Sequence, residues 1–263
     1  MPDLTRRPAA PGRTPSGLVR SWAKTLAAHA VLIVTAIVGL VLAVGLTVAS
    51  GSIYEAVVDN DGIAALDQPT LDQAVHQRTE TKARVVTWFT HLGGPVGMTV
   101  IAAVITVVMV WRWRSRTPLI LMVIAVAGSL ILTTVGKNLV GRARPPLDYA
   151  VPPYEYAFSF PSGHALNSTV IAGVVAYLLV GRLRTLWAKV LTVVVAVVWA
   201  VAMGLSRVFL GHHWLTDVAV AWLLGGAWIA LLITAHQLFL ATRRNAPPST
   251  DRMRSTVGRA IVR

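Results

Sequence analysis

Long apolar stretches separated by short arginine-rich segments dominate the chain. Six of them, at 26–50, 88–110, 118–136, 165–181, 186–205 and 215–240, approach or exceed the ~20 residues that an α-helix needs to cross a hydrocarbon layer of roughly 30 Å. The valine-rich run 192–201 would suggest a buried strand in water. Inside an unbroken apolar segment it reads as a bilayer helix, because lipid offers no partner to the backbone groups of an isolated strand. The pattern predicts an all-α integral membrane fold with six transmembrane helices. One membrane domain, 25–240, is expected between two tails, 1–24 and 241–263, which are rich in proline and arginine, lack apolar periodicity and should be disordered. Arg6 and Arg7 could suggest a twin-arginine export signal. The apolar run that follows is long and has no small-residue cleavage site, as in a retained anchor.

Composition agrees: 55% of the 263 residues are hydrophobic and 13% are charged, an excess of apolar residues over an ordinary soluble domain. The absence of cysteine excludes disulfides, a thiol nucleophile and cysteine-ligated zinc. A net charge of +13 could mark a nucleic-acid surface, but its placement argues against that partner. The N-terminal tail, the Arg112/Arg114/Arg116 connector, the Arg182/Arg184/Lys189 connector and the C-terminal tail hold 17 of the 24 basic residues, and six spans put all four on one side. Positive charge of this kind marks the cytoplasmic face. Both termini are therefore expected in the cytoplasm of a cell membrane. The remaining loops, including the acidic run Asp59, Asp61, Asp67 and Asp72, are expected outside. Trp22, Trp88, Trp111, Trp113, Trp187 and Trp214 fall near span ends, as an interfacial belt requires. Trp199, Trp222 and Trp228 do not, and read as packing residues. The 20 arginines against 4 lysines fit a GC-rich bacterial genome.

Three polar clusters lie at the extracytoplasmic ends of apolar helices, where ionisable groups are expensive to bury and usually functional. In KNLVGRARP, Lys137 and Arg144 precede Pro145; alone, the pair also reads as snorkelling interfacial cations. In PSGH, Ser162 stands as the N-cap of the fourth span and Gly163 permits close backbone approach. Free amides and a positive helix end then face any bound anion, although an ordinary capped helix with an interfacial His164 fits as well. In SRVFLGHHWLTD, His213 and Asp217 are four residues apart and share a helix face. The carboxylate can then accept a proton from one ring nitrogen and leave the other nucleophilic. Arg207 adds a planar donor fork suited to phosphate oxygens, or a structural partner for the aspartate. Together the clusters supply what phosphoryl transfer requires: cations and amides for the equatorial oxygens, a nucleophile, and an acid for the leaving oxygen.

The motifs Lys137–x6–Arg144–Pro145, Pro161–Ser162–Gly163–His164 and Ser206–Arg207–x5–His213–x3–Asp217 resemble, in order and spacing, those of the type 2 phosphatidic acid phosphatase superfamily, over about residues 88–235. The resemblance implies six helices with the catalytic site at the extracytoplasmic membrane surface. It also implies a metal-independent reaction through a phosphohistidine, with no cofactor. In that mechanism His213 attacks phosphorus, Asp217 orients it and His164 protonates the leaving oxygen. Lys137, Arg144, Arg207, Ser162 and the Gly163 amide hold the phosphate. The implied substrate is a membrane lipid phosphate: phosphatidic acid, phosphatidylglycerol phosphate or a polyprenyl mono- or diphosphate.

His212 lacks a carboxylate at helical spacing and reads as a support for the site or an interfacial residue. His29, His76, His91 and His236 match no motif. The acidic run 59–72 lacks the alternation of an EF-hand and reads as a solvated loop. A transporter or channel with an interfacial anion site is the main competing function, and it is disfavoured because no charged residue lies in the middle of a span. A vanadate-dependent peroxidase shares the anion site, but those enzymes are soluble.

Overall fold

The computed structural model describes residues 15–245, and among them there is no strand. The helices are α1 (Pro15–Asp59), α2 (Asp67–His76), α3 (Glu80–His91), α4 (Pro95–Trp113), α5 (Thr117–Val140), α6 (Gly163–Val180), α7 (Leu186–Phe209) and α8 (Leu215–Asn245). Six of these, α1 and α4 to α8, are long and apolar enough to cross a membrane. The six-span fold is therefore present, with two shorter helices between the first and second spans.

Three expectations about boundaries change. The second span does not begin at residue 88: α3 ends at His91, and α4 starts only at Pro95 after the pair Gly93–Gly94. Proline has no N–H to continue α3 but suits the first turn of a new helix. The break is also needed for packing, since a Cβ on Gly93 would fall 2.3 Å from the sulfur of Met203 on α7. Secondly, the stretch 51–87 is not a loop, because α1 continues to Asp59 and a 3₁₀ turn (Gly62–Leu66), α2 and α3 follow. Thirdly, helix α1 begins within the stretch read as a tail, and α8 extends to Asn245. The tails at 1–14 and 246–263 lie outside the described residues, as does the Trp22 side chain.

Among the described residues, Gly39–Ile233 forms one compact unit and the segments 15–38 and 234–245 another. The first holds the core, and α6 lies at its centre. Leu166, Val170, Ile171 and Val174 of α6 are buried against Met98 and Ala102 of α4, Leu121, Met122 and Ala125 of α5, and Val218 and Ala221 of α8. Small residues let large ones in, as is usual between membrane helices. Trp228 donates its indole N–H to the Ala125 carbonyl at 3.2 Å where Gly128 leaves room, and Trp222 donates to the Ala200 carbonyl at 3.1 Å beside Gly204. Trp199 packs edge-on against Phe89. Conversely, Val107, Val108, Ile131, Val195 and Val198 are more than half exposed, a surface that suits lipid rather than water.

The ends of the spans differ in kind. At one end the Arg182 guanidinium lies 4.8 Å from the ring centre of Trp113, so the two basic connectors meet there. At the other end the α5–α6 segment, the α7–α8 turn and the α2–α3 hairpin come together. Arg78 of the hairpin donates to the carbonyls of Tyr149 at 2.7 Å and Phe209 at 2.5 Å, fastening the three pieces to one another.

Candidate active site

Helix ends deliver the functional groups. Helix α5 stops at Gly141, whose positive φ of 61° lets its N–H reach the Lys137 carbonyl at 3.0 Å, a left-handed cap that glycine adopts readily. The chain then runs through Arg142, Arg144, Glu155 and Ser159 to the N-cap of α6 at Ser162. From α6 the first-turn amides, beginning at Gly163, have no carbonyl one turn back within the helix. The Ser162 amide itself donates to the Asp217 carbonyl at 3.2 Å. The Ser162 hydroxyl is buried without a hydrogen-bond partner, a condition that a bound oxyanion would relieve. Helix α7 contributes Arg207 in its last turn. A turn through Gly211, at φ 73° with the backbone of Tyr149 directly against it, leads to His212, His213 and the start of α8 at Leu215.

His213 and Asp217 meet as their spacing predicts. Nδ1 of His213 lies 3.3 Å from Oδ2 of Asp217, and both side chains are fully buried. Nη1 of Arg144 is 3.1 Å from Nε2 of the same ring. A guanidinium can only donate, so Nε2 is the acceptor and Nδ1 carries the proton facing the carboxylate. That tautomer points a lone pair into the cationic part of the site. Burial, with the nearby charges of Arg144 and Arg207, holds the His213 imidazole well below its usual pKa, so it is neutral at pH 7.

Arg144 and Arg207 converge on a residue that spacing did not single out. Glu155 accepts from Nη2 of Arg144 at 2.9 Å on one oxygen and from Nη2 of Arg207 on the other. Burial raises the Glu155 carboxyl, but the guanidiniums of Arg207 and Arg144 outweigh it and bring it down to about 2. Arg207 also donates to the Thr90 hydroxyl of α3 at 3.2 Å, while its buried Nε has no partner. Lys137 donates to the Phe158 carbonyl. His164 is half-buried at the start of α6, and a Cβ on Gly94 would stand 3.4 Å from its Nε2. The backbone of His212 lies in the site: its carbonyl accepts from Nη1 of Arg144 at 2.7 Å and its amide donates to the Arg207 carbonyl at 2.9 Å. Burial, reinforced by Arg207, lowers its ring to about 4.

The reading of the acidic run 59–72 as a solvated loop is corrected at Asp67, whereas Asp59 and Asp61 are exposed. Asp67 is only 4% exposed and is 2.7 Å from Nη2 of Arg142, whose Nη1 is 2.7 Å from Oδ1 of Asp217. Ser159, likewise unforeseen, donates to Oδ2 of Asp217. Among the described residues no three histidine, aspartate or glutamate side chains gather as a metal site would require.

Known proteins resemble this chain. Residues 117–240 match the PAP2 superfamily. The chain is 34% identical over 182 residues to phosphatidylglycerophosphatase B of Bacillus subtilis, covering 69% of this chain and 86% of that one. It is 34% identical over 123 residues to an undecaprenyl-diphosphatase of Sulfolobus acidocaldarius, covering 45% and 55% respectively. Its fold is similar to the crystal structure of a transmembrane PAP2-type phosphatidylglycerolphosphate phosphatase from Bacillus subtilis, with a TM-score of 0.68 and 30% identity over 75% of this chain and 96% of that one. Six apolar helices, the three ordered motifs and these likenesses agree: the chain belongs to the PAP2 superfamily and is a membrane phosphatase.

Proposed function

We propose that the protein removes the terminal phosphate of a lipid phosphate held in the bilayer, by a two-step reaction through His213. The observation that carries the reading is the orientation of the His213 ring, with Nδ1 on Asp217 and Nε2 beside Arg144. In the first step Nε2 bonds to phosphorus, the bond from phosphorus to the lipid oxygen breaks, and His164 gives that oxygen a proton. In the second, His164 takes a proton from water, the water oxygen bonds to phosphorus, and the N–P bond breaks to release inorganic phosphate. Lys137, Arg144, Arg207, the Ser162 hydroxyl and the Gly163 amide hold the phosphoryl oxygens. A substrate phosphate reaching Arg144 and Arg207 takes the place of the Glu155 carboxylate.

Three cationic side chains supply the charge neutralisation that metal ions give other phosphoryl-transfer enzymes, so the reaction is metal-independent and uses no cofactor. The basic connectors support an extracytoplasmic catalytic end. Phosphatidic acid, phosphatidylglycerol phosphate and polyprenyl mono- and diphosphates all present a terminal phosphate on an apolar tail, and the relatives' substrates fall in this class. Purified protein supplied with that panel in detergent micelles should release inorganic phosphate in the presence of EDTA. Loss of turnover on chelation, restored by magnesium, would contradict the mechanism. Absence of phosphate release from every lipid would favour a transport role.

A further inference from the structure

A buried ion-pair network stands behind the nucleophile and touches none of the phosphate ligands' donor groups. Only one oxygen of Asp217 faces His213: Oδ2 also accepts from the Trp214 amide at 3.0 Å and from Ser159. Oδ1 instead accepts from Nη1 of Arg142 at 2.7 Å. The fork of Arg142 reaches further, to the Thr216 hydroxyl at 2.8 Å through Nη1 and to Oδ2 of Asp67 at 2.7 Å through Nη2. Its guanidinium lies 5.4 Å from the ring centre of Trp214. Asp67 completes the circuit by accepting from the Thr216 amide at 2.9 Å and from the Thr216 hydroxyl at 2.6 Å, across 149 residues of sequence. The first turn of α2 is thereby tied to the first turn of α8, where Asp217 sits.

From this arrangement we infer that Asp67 and Arg142 are positioning residues for the nucleophile, holding the Asp217 carboxylate ionised, fixed in plane and net negative toward His213. The inference rests on the reading of His213 as nucleophile. An isolated buried carboxylate protonates and could no longer accept the Nδ1 proton. Arg142 prevents that, but a guanidinium paired only with Asp217 would cancel its charge. With Asp67 on the other prong, the group Asp67–Arg142–Asp217 keeps one net negative charge. The imidazole needs that charge when Nε2 bonds to phosphorus while Nδ1 stays protonated and the ring becomes cationic. A simple strut would need the same contacts but would not couple to the chemical step.

The test compares full-length wild type, Asp67→Asn, Arg142→Gln and the double variant in detergent, measuring lipid-phosphate turnover and competitive inhibition by inorganic phosphate. Asp67→Asn is expected to lower kcat by about 10- to 100-fold, the range found when a group orienting a reactive ligand is removed. KM and the phosphate inhibition constant should move by less than about twofold, because the phosphate contacts are intact. Arg142→Gln should lose more, and the double variant should match Arg142→Gln, since two members of one network do not act additively. Thr216→Val keeps every charge and removes only the bridging hydroxyl, so it carries the same test should Asp67→Asn not fold. Its kcat should fall about 3- to 10-fold, the worth of one or so net hydrogen bonds, again without moving the phosphate constant. Wild-type kcat in the variants that fold would overturn the inference, as would parallel losses in kcat and phosphate binding or additive losses in the double variant. His213→Ala separates the two levels of argument. Persisting turnover in that variant removes the nucleophile reading and this inference with it, whereas turnover that requires His213 but ignores Asp67 and Thr216 removes the inference alone.

Discussion

Replacing Glu155 by glutamine keeps its shape and leaves two guanidiniums without their shared counter-charge. Its folded pKa of about 2 lies below the ordinary 4.5, so the pair stabilises the fold fully above pH 4.5. That contribution is lost as the pH falls from 4.5 toward 2. Glu155→Gln should therefore melt at a lower temperature than wild type at pH 7, and the gap should narrow on acidification through this window. Added phosphate should raise the melting temperature of Glu155→Gln more than that of wild type, because it meets Arg144 and Arg207 without an internal competitor. Equal shifts would mean that Glu155 does not occupy the phosphate position. The two histidines divide differently. His164→Ala should slow release of a lipid alcohol by about 10²- to 10⁴-fold, the range of general acid catalysis, and slow an aryl phosphate of low leaving-group pKa much less. Equal losses on both substrates would contradict its role as acid. The site residues also show where sequence reasoning stops. Lys137, Arg144, His164, Arg207, His213 and Asp217 were legible because each lies in a local motif whose spacing has a chemical meaning. Glu155 and Asp67 were not, because their partners Arg207 and Arg142 lie 52 and 75 residues away and no local period links them.

At the scale of elements, the apolar runs located the last four of the six spans to within about five residues at each end, fell short of α1 at both ends, and failed where apolarity continues across a break. Trp88 and Phe89 look like the start of a span, yet the chain turns at Gly93–Gly94 and restarts at Pro95. The reason is tertiary: α3 lies against α7, bringing the Thr90 hydroxyl to Arg207 and admitting Met203 where Gly93 has no side chain. Packing between helices also makes a quantitative prediction. A Cβ at position 204 would fall 2.5 Å from Val218 and 2.6 Å from the Trp222 ring, whereas one at position 45 meets nothing within 4 Å. Gly204→Ala should therefore destabilise the α7–α8 contact by about 1–3 kcal/mol, the usual penalty of overpacking. Gly45→Ala should be neutral or slightly stabilising, as alanine is the better helix former. Thermal unfolding in detergent measures both, and equal stability of the two variants would mean that α7 and α8 do not pack as closely as described.

For the whole molecule, charge and chemistry lie at opposite ends of the spanning helices. The contact between Arg182 and Trp113 brings the two basic connectors together, and Arg78 ties the site loops together at the far end. Six spans leave one choice, which end faces the cytoplasm, and the bias in lysine and arginine is the ground for proposing that the connector end does. Placing the site outside has a functional consequence, because phosphate would be released away from the cytoplasm and the lipid would have to present its head group on the outer leaflet. The chain has no cysteine, so single cysteines report without background. Tyr156, 83% exposed, stands in the segment between α5 and α6 at the catalytic end, and Arg184 stands in a basic connector at the other. In intact cells Tyr156→Cys should react with a membrane-impermeant maleimide, while Arg184→Cys should react only after the membrane is permeabilised. The reverse pattern would turn the molecule over and put its lipid substrate in the inner leaflet. Reaction of both in intact cells would break the assignment of the two ends to opposite faces, and with it the six-span reading of the bilayer crossing.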